Sequence, residues 1–160
     1  MITRFLRNRV GTAAAEFVLT LPMMLALLFG AMEAGHFFWT QHKIVKSVRD
    51  GARFASRLDV ESVCAGDTTL LTEIRNVTAT GQFADGGRPK VPGWDPVGVV
   101  VTIECDEFVD TGIYSDLGEG GPMVRVSSGP VTYPSILGGL GFIDDTINLS
   151  AQSSAAVVGI

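Results

Sequence analysis

A glycine followed five residues later by a glutamate, at the head of an apolar run, is the place where residue types and spacing could do chemistry. The stretch is Arg7-Asn-Arg-Val-Gly-Thr-Ala-Ala-Ala-Glu16-Phe-Val-Leu-Thr-Leu-Pro22. The chemistry it suggests is proteolysis of the chain itself, with Gly11–Thr12 as the bond cut. Glycine has no side chain to obstruct a protease, and its backbone passes freely between extended and turned forms. Cutting there makes Thr12 the new amine and Glu16 the fifth residue, one helical turn further on. A carboxylate in the first turn or so of a helix is favoured by the macrodipole. It could also pair with a free amine, its own or a neighbour's.

Other reactive groups are scattered. His36 and His42 stand six apart, on different faces of a helix, so they do not make a zinc pair. Glu104, Asp106, Glu107 and Asp110 cluster and could bind calcium. They lack the spacing of a calcium loop, which favours a solvated acidic loop. Asn76-Val-Thr78 and Asn148-Leu-Ser150 fit a glycosylation pattern that chance often supplies. No nucleophile elbow, Walker loop or dinucleotide fingerprint occurs. The expectation is no enzyme, no catalytic residue, no metal and no cofactor.

Gly11 and Glu16 must be positioned by the elements around them. Residues 17–32, FVLTLPMMLALLFGAM, carry no charge, and the apolar character resumes through His36-Phe-Phe-Trp39 after Glu33. Bridged over Glu33, about 23 residues suffice for a bilayer that needs roughly 20. Mean hydropathy is positive, and this run is the reason. The transmembrane part is therefore placed at about 17–39, with Glu33 near the outer interface, reaching headgroups. Pro22 removes one backbone bond, which neighbours or local adjustment compensate in a membrane helix. Gly30 with Ala34, and Ala31 with Gly35, are small pairs through which helices can approach closely. Ordinary membrane-helix composition accounts for them equally well.

A secretory signal would put small residues of a cleavage site after the apolar core. Here the core is followed by Glu33-Ala-Gly-His-Phe-Phe-Trp39, so the helix is expected to stay attached to the rest of the chain. Cleavage before it, at Gly11, is the alternative.

The formal charge of −5 is unevenly spread. Arg4, Arg7 and Arg9 precede the apolar run, and Lys43, Lys46, Arg49, Arg53 and Arg57 follow it, opposed only by Asp50. From Leu58 onward fourteen acids face four bases, which argues against nucleic acid as a partner. Basic residues flank both ends of the span, so they do not by themselves set its orientation. Cys64 and Cys105 both lie in the acidic part. If that part is exported, one disulfide is the default; two unrelated buried thiols are the alternative.

The head of the chain resembles the TadE-like pseudopilins of the tight-adherence (Tad, or Flp) pilus apparatus. The matching residues are Arg9-Val-Gly-Thr-Ala-Ala-Ala-Glu-Phe-Val-Leu-Thr-Leu-Pro22, Leu27-Leu-Phe-Gly-Ala-Met-Glu33 and Val48-Arg-Asp-Gly-Ala-Arg-Phe-Ala55. A looser echo runs through Val124-Arg-Val, Tyr133-Pro, Leu137 and Leu149-Ser-Ala. The resemblance implies that a prepilin peptidase cuts after Gly11, and that Glu16 at the fifth mature position supports assembly. Where the family often has an aromatic after Glu33 and an arginine soon after, this chain has Ala34-Gly35-His36, a local packing detail.

Beyond the span, Val45, Val48, Ala52 and Ala55 recur at helical spacing with Lys46, Arg49, Arg53 and Arg57 between them. A helix from about Ala13 to Arg57 would be about 67 Å long, apolar all round in its first half and amphipathic in its second. Leu58–Gly66 reads as a loop. A short helix is expected around Leu70, Ile74 and Val77, begun by Asp67 or Thr68 and closed by Gly81. Gln82–Pro96 is rich in glycine and proline and reads as a loop. Val97–Cys105 reads as a strand buried on both faces, and Met123–Ser127 and Asn148–Val158 as further strands. Residues 130–143 form an apolar, glycine-broken stretch, either tucked on the core or an exposed patch.

The expected fold is α+β. A long N-terminal helix packs on a small, mostly antiparallel sheet domain, a pilin-like lollipop. The expected organisation is a cytoplasmic prepilin-type leader at 1–11, the long helix at 12–57, and an extracytoplasmic α+β domain at 58–160. The expected role is that of a minor pilin or pseudopilin-like subunit serving tight-adherence pilus assembly or related secretion. It would be single-pass in the bacterial inner membrane and incorporated in, or at the base of, a pilus. Its partners would be the membrane, the prepilin peptidase, other pilin-like subunits and pilus assembly proteins, in a homo- or hetero-oligomer. The alternative is an unprocessed, signal-anchored periplasmic scaffold of the same machinery. An extracytoplasmic ligand-binding module has only the acidic loop in its favour.

Overall fold

An uninterrupted helix, α1, runs from Val10 to Ala55 in the computed structural model. The structure describes residues 10–105, 122–138, 141 and 147–158, with side chains from residue 13. By contacts the chain divides between His36 and Phe37. α1 therefore supplies the first unit and opens the second. Pro22 lies inside it.

In the first unit nearly every large apolar side chain faces outward, from Phe17, Val18 and Leu19 to Leu27, Leu28 and Phe29. Among the described residues this is the one helix long and apolar enough to cross a membrane.

The second unit has its own core. Ile44, Val48, Ala52 and Ala55 of α1 are fully buried in one cluster with Val63, Ile74, Val91, Trp94, Val99, Val124 and Val126. Their spacing of four, four and three lays them along one helix face. Phe37, half-buried, meets the buried Tyr133 edge to face at 5.3 Å between ring centroids.

A short helix α2, Val60–Cys64, stands where the sequence suggested a loop. Asp59 caps it, accepting from the Ser62 backbone N–H at 2.9 Å and its hydroxyl at 3.0 Å. Helix α3, Thr68–Ala79, is capped by Asp67, which accepts from the Thr69 N–H at 2.8 Å. It ends as expected: Gly81, at φ +83°, takes the left-handed conformation that glycine adopts without strain.

The strand expected from Val97 begins later. Asp95 accepts from the Val97 N–H and caps a 3-10 turn, Pro96–Gly98, before β1, Val100–Glu104. Nor is β1 buried on both faces: Val100 and Thr102 are exposed, Val101 and Ile103 half-buried. The cause is position, because β1 pairs only with β2, Met123–Ser127, among the described residues. β2 is the central strand, antiparallel to β1 on one side and to β5, Gln152–Ala156, on the other. Its Val124 and Val126 point into the core.

The expected final strand is two. β3, Val131–Thr132, pairs with β4, Asn148–Leu149, in a separate two-stranded sheet. The chain then crosses at Ser150 and Ala151 into β5. Ser128 holds that crossing, its backbone N–H donating to the Ala151 carbonyl and its hydroxyl accepting from the Ala151 N–H. The fold is α+β, with the second part of a long helix packed with an antiparallel sheet. In the 130–143 stretch, Val131 and Tyr133 are buried while Ile136 is exposed; residues 139–140 and 142–143 lie outside the described set.

Candidate functional site

Gly11 and Thr12 fall within the first turn of α1 rather than ahead of it, because the helix starts at Val10. A protease cutting there must unwind that turn, and glycine at the scissile position weakens the helix by about 1 kcal/mol relative to alanine. Glu16 is exposed. In the uncut helix the first turn contains no acid, so the macrodipole does little for Glu16. Removal of residues 1–11 would bring the helix terminus to within about a turn of it. The Glu16 carbonyl accepts from the Thr20 hydroxyl at 3.1 Å, as does that of Phe17 at 3.2 Å. This back-bonding internalises the hydroxyl of the one threonine between Glu16 and Pro22.

Gly30, Ala31, Ala34 and Gly35 are all exposed, and a Cβ built on Gly30 or Gly35 would meet nothing within 4 Å. The surface they offer is open to another helix or to lipid. Glu33 is buried, not exposed as a headgroup-reaching carboxylate would be.

Cys64, at the end of α2, and Cys105, just after β1, are joined by a disulfide across a sequence separation of 41. It ties α2 to the sheet. Of the acidic cluster, Glu104 lies on β1, while Asp106, Glu107 and Asp110 lie outside the described residues. No metal-holding group of acids, histidines or cysteines occurs among the described residues. Asn76 is buried, its amide donating to the Phe83 carbonyl and to Asp85 Oδ1, so the first glycosylation match is a structural side chain.

Sequence reasoning missed a cleft of about 250 Å³ in the second unit, lined by Lys43, Lys46, Ser47, Asp50 and Lys90. Lys90 comes from the glycine-rich loop and carries its ammonium to the end of α3, donating to the Val77 and Thr78 carbonyls at 3.1 and 3.3 Å. The Val77 carbonyl also accepts from the Gly81 backbone N–H at 3.0 Å, so the ammonium adds a further donor at the helix end. Burial pushes the Lys90 pKa below the ordinary lysine value; Asp50 opposes that shift and Lys46 adds to it. Lys43 donates to the Lys90 carbonyl at 3.2 Å and lies 3.9 Å from the Trp39 ring centroid, a cation–π contact. The available signal was the spacing Trp39, Lys43, Lys46, Asp50, which shares one helix face.

Fold and helix together define an α+β chain whose N-terminal apolar helix fits a single-pass membrane protein. Residues 11–53 match the family model described as TadE-like protein, and over that segment the chain is similar to that family. The match begins at Gly11 and lies wholly within α1. The family is one of pilus-associated structural proteins. Comparisons with curated proteins and with solved structures gave no match.

Proposed function

We propose that the chain is a non-enzymatic minor pilin-like subunit of a tight-adherence pilus or related secretion machine. In this reading α1 spans the inner membrane with residues 1–11 in the cytoplasm. A prepilin peptidase cuts after Gly11, and the second unit works outside. The observation that carries the reading is the family match, which starts at Gly11 and runs along one continuous helix from the apolar half into the packed half.

Glu16 then has a role. Among packed helices a carboxylate at the membrane edge needs a partner, and the Thr12 amine of an adjacent subunit supplies one. Gly30, Ala31, Ala34 and Gly35 leave room for that neighbour's helix. The partners are other pilin-like subunits and pilus assembly proteins. A second reading, an unprocessed scaffold of the same machinery, is favoured by one observation: Gly11–Thr12 lies inside a helical turn that must open before cleavage.

The N-terminus of the membrane-bound protein separates the two, read by intact mass for the natural chain and for Gly11→Ala. A mature chain that begins at Thr12, and is lost on substitution, is expected. A chain that keeps Met1-Ile-Thr-Arg4 would refute processing and leave the scaffold.

A further inference from the structure

The helix face that carries Trp39, Lys43, Lys46 and Asp50 has no part in the functional reading above. Its spacing of four, three and four places these side chains in one row, and Lys43, Lys46 and Asp50 line, with Ser47 and Lys90, a cleft that is cationic, three lysines against one aspartate. We propose that this cleft is a binding site for the phosphate headgroup of an anionic membrane lipid. The inference rests on α1 crossing a membrane.

Position along the helix comes first. Trp39 closes the apolar run and is exposed, an amphipathic ring of the kind enriched where hydrocarbon meets headgroups. Lys43 and Lys46 stand about 6 and 10 Å further along the axis. A headgroup layer is about 5–8 Å thick on each side of the hydrocarbon. With Trp39 at the boundary, the Lys43 ammonium, 3.9 Å from that ring, stands at the start of the headgroup layer, and the Lys46 backbone lies about 5 Å beyond that of Lys43.

Preorganisation comes second. Lys43 is fixed by the Lys90 carbonyl and the Trp39 ring. An ammonium has three donors, and one is used on that carbonyl, so others remain for a phosphate. Lys46 is exposed. Lys90 spends two donors on the end of α3 and contributes its field.

Charge comes third. From Leu58 onward the chain is strongly acidic, so an anionic bilayer surface repels it. A phosphate site on the first turns beyond the span offsets that repulsion where the membrane is nearest in sequence. Each lysine at such a surface is worth about fivefold in association with an anionic leaflet.

Trp39 provides the readout, because the other tryptophan, Trp94, is buried at 2% exposure. The full chain is reconstituted in vesicles of phosphatidylcholine with a minority of phosphatidylglycerol. Bromine is placed on the tails of one lipid or the other at equal mole fraction. Trp39 fluorescence should be quenched roughly twofold more by brominated phosphatidylglycerol. That excess should vanish in Lys43→Gln/Lys46→Gln and survive in Lys43→Arg/Lys46→Arg. Equal quenching by both lipids, or an excess that persists in the double glutamine variant, would overturn the site. Loss of the excess to inorganic phosphate, but not to chloride at the same ionic strength, would also overturn it, in favour of a free anion. Alkaline carbonate extraction of the same vesicles keeps the two inferences apart. A chain released by carbonate would refute the membrane reading itself, whereas equal quenching of a carbonate-resistant chain would refute the headgroup site alone.

Discussion

Gly51→Ala should destabilise the second unit, although glycine to alanine inside a helix ordinarily stabilises by about 1 kcal/mol. Gly51 lies on the buried face of α1. A Cβ built there overlaps the Thr78 hydroxyl and comes within 3.1 Å of Thr78 Cβ. Thr78 is fully buried on α3, and its hydroxyl donates to the Ile74 carbonyl at 2.7 Å. The oxygen therefore has no solvent to retreat into. Either the helices separate or Thr78 leaves its rotamer and surrenders that hydrogen bond. Overpacking of this kind costs about 1–3 kcal/mol, and the lost hydrogen bond about 1 kcal/mol more. After subtracting the propensity gain, the net loss is about 1–3 kcal/mol. At about 4 °C per kcal/mol for a unit of this size, the thermal midpoint falls by roughly 4–12 °C. The assay is far-UV circular dichroism of the full chain in detergent, where the membrane half of α1 stays helical and the unit's own transition is followed. Thr78→Ala removes the overlapping oxygen, so Gly51→Ala in that background should cost at least about 1 kcal/mol less than alone. A stabilising Gly51→Ala, or strictly additive effects in the double variant, would refute the close approach of α1 and α3.

Reduction of the Cys64–Cys105 bridge, or its replacement by serines, releases a loop of 41 residues' separation. It should cost about 4 kcal/mol on the chain-entropy account, seen as a lower unfolding midpoint with reductant than without. Asp59 is held below the ordinary carboxylate value chiefly by the Ser62 backbone N–H, then by the Ser62 hydroxyl. Its contribution is thus complete above the unfolded-state pKa and is lost as pH falls through the lower folded one. Asp59→Asn should therefore flatten the acid limb of the stability–pH curve below about pH 4 and leave the neutral-to-alkaline limb unchanged, read by denaturant midpoints across that range. Glu16→Ala should leave membrane insertion intact, because the residue is exposed at one end of the apolar run, and should impair assembly. Normal piliation counted by electron microscopy would remove Glu16 from the mechanism.

Local signals made the helices readable. The uncharged run and the recurrence of Val48, Ala52 and Ala55 gave α1 nearly its full length, and Asp67 and Gly81 bracketed α3. The buried face of α1 was only half visible, since Thr40, Ser47 and Gly51 complete it and a polar or side-chain-free residue does not register as core. Their small size is what lets neighbouring elements approach, which only the packing reveals. α2 was missed because five residues are too few for a period, although Asp59 ahead of Ser62 was a cap in plain view. The sheet resisted for a different reason. Splitting residues 148–158 between two sheets depends on Ser128, 23 positions from Ala151 in sequence, and on Gln41 donating to the Ser150 carbonyl across 109 positions. Neither partner is marked by anything near the strand. The Gly11 and Glu16 pattern was legible because it is sequential; the lysine cleft was not, because Lys90 reaches it from another part of the chain.

The two halves of α1 differ in what they need from their surroundings, and that difference constrains any working role. In the second unit the helix is consumed by its own domain: Ile44, Val48, Ala52 and Ala55 are buried at 0–1% exposure, and they join a buried cluster of that unit's residues. In the first unit the chain buries almost none of its large apolar residues: Phe17, Leu19, Met23 and Leu27 are all more than half exposed. A contiguous apolar surface of this extent is not stable against water, so something outside the chain covers it. Lipid alone satisfies the apolar side chains, but it does nothing for the carboxyl group of Glu16, exposed on the same segment. Other helices satisfy both, provided one of them presents a cation near that level. A free amine at Thr12 is such a cation and exists only after cleavage at Gly11. On the proposed reading, processing and assembly are coupled through a single carboxylate, and a chain that is never cut should insert as well as the mature one yet pack less well with its neighbours.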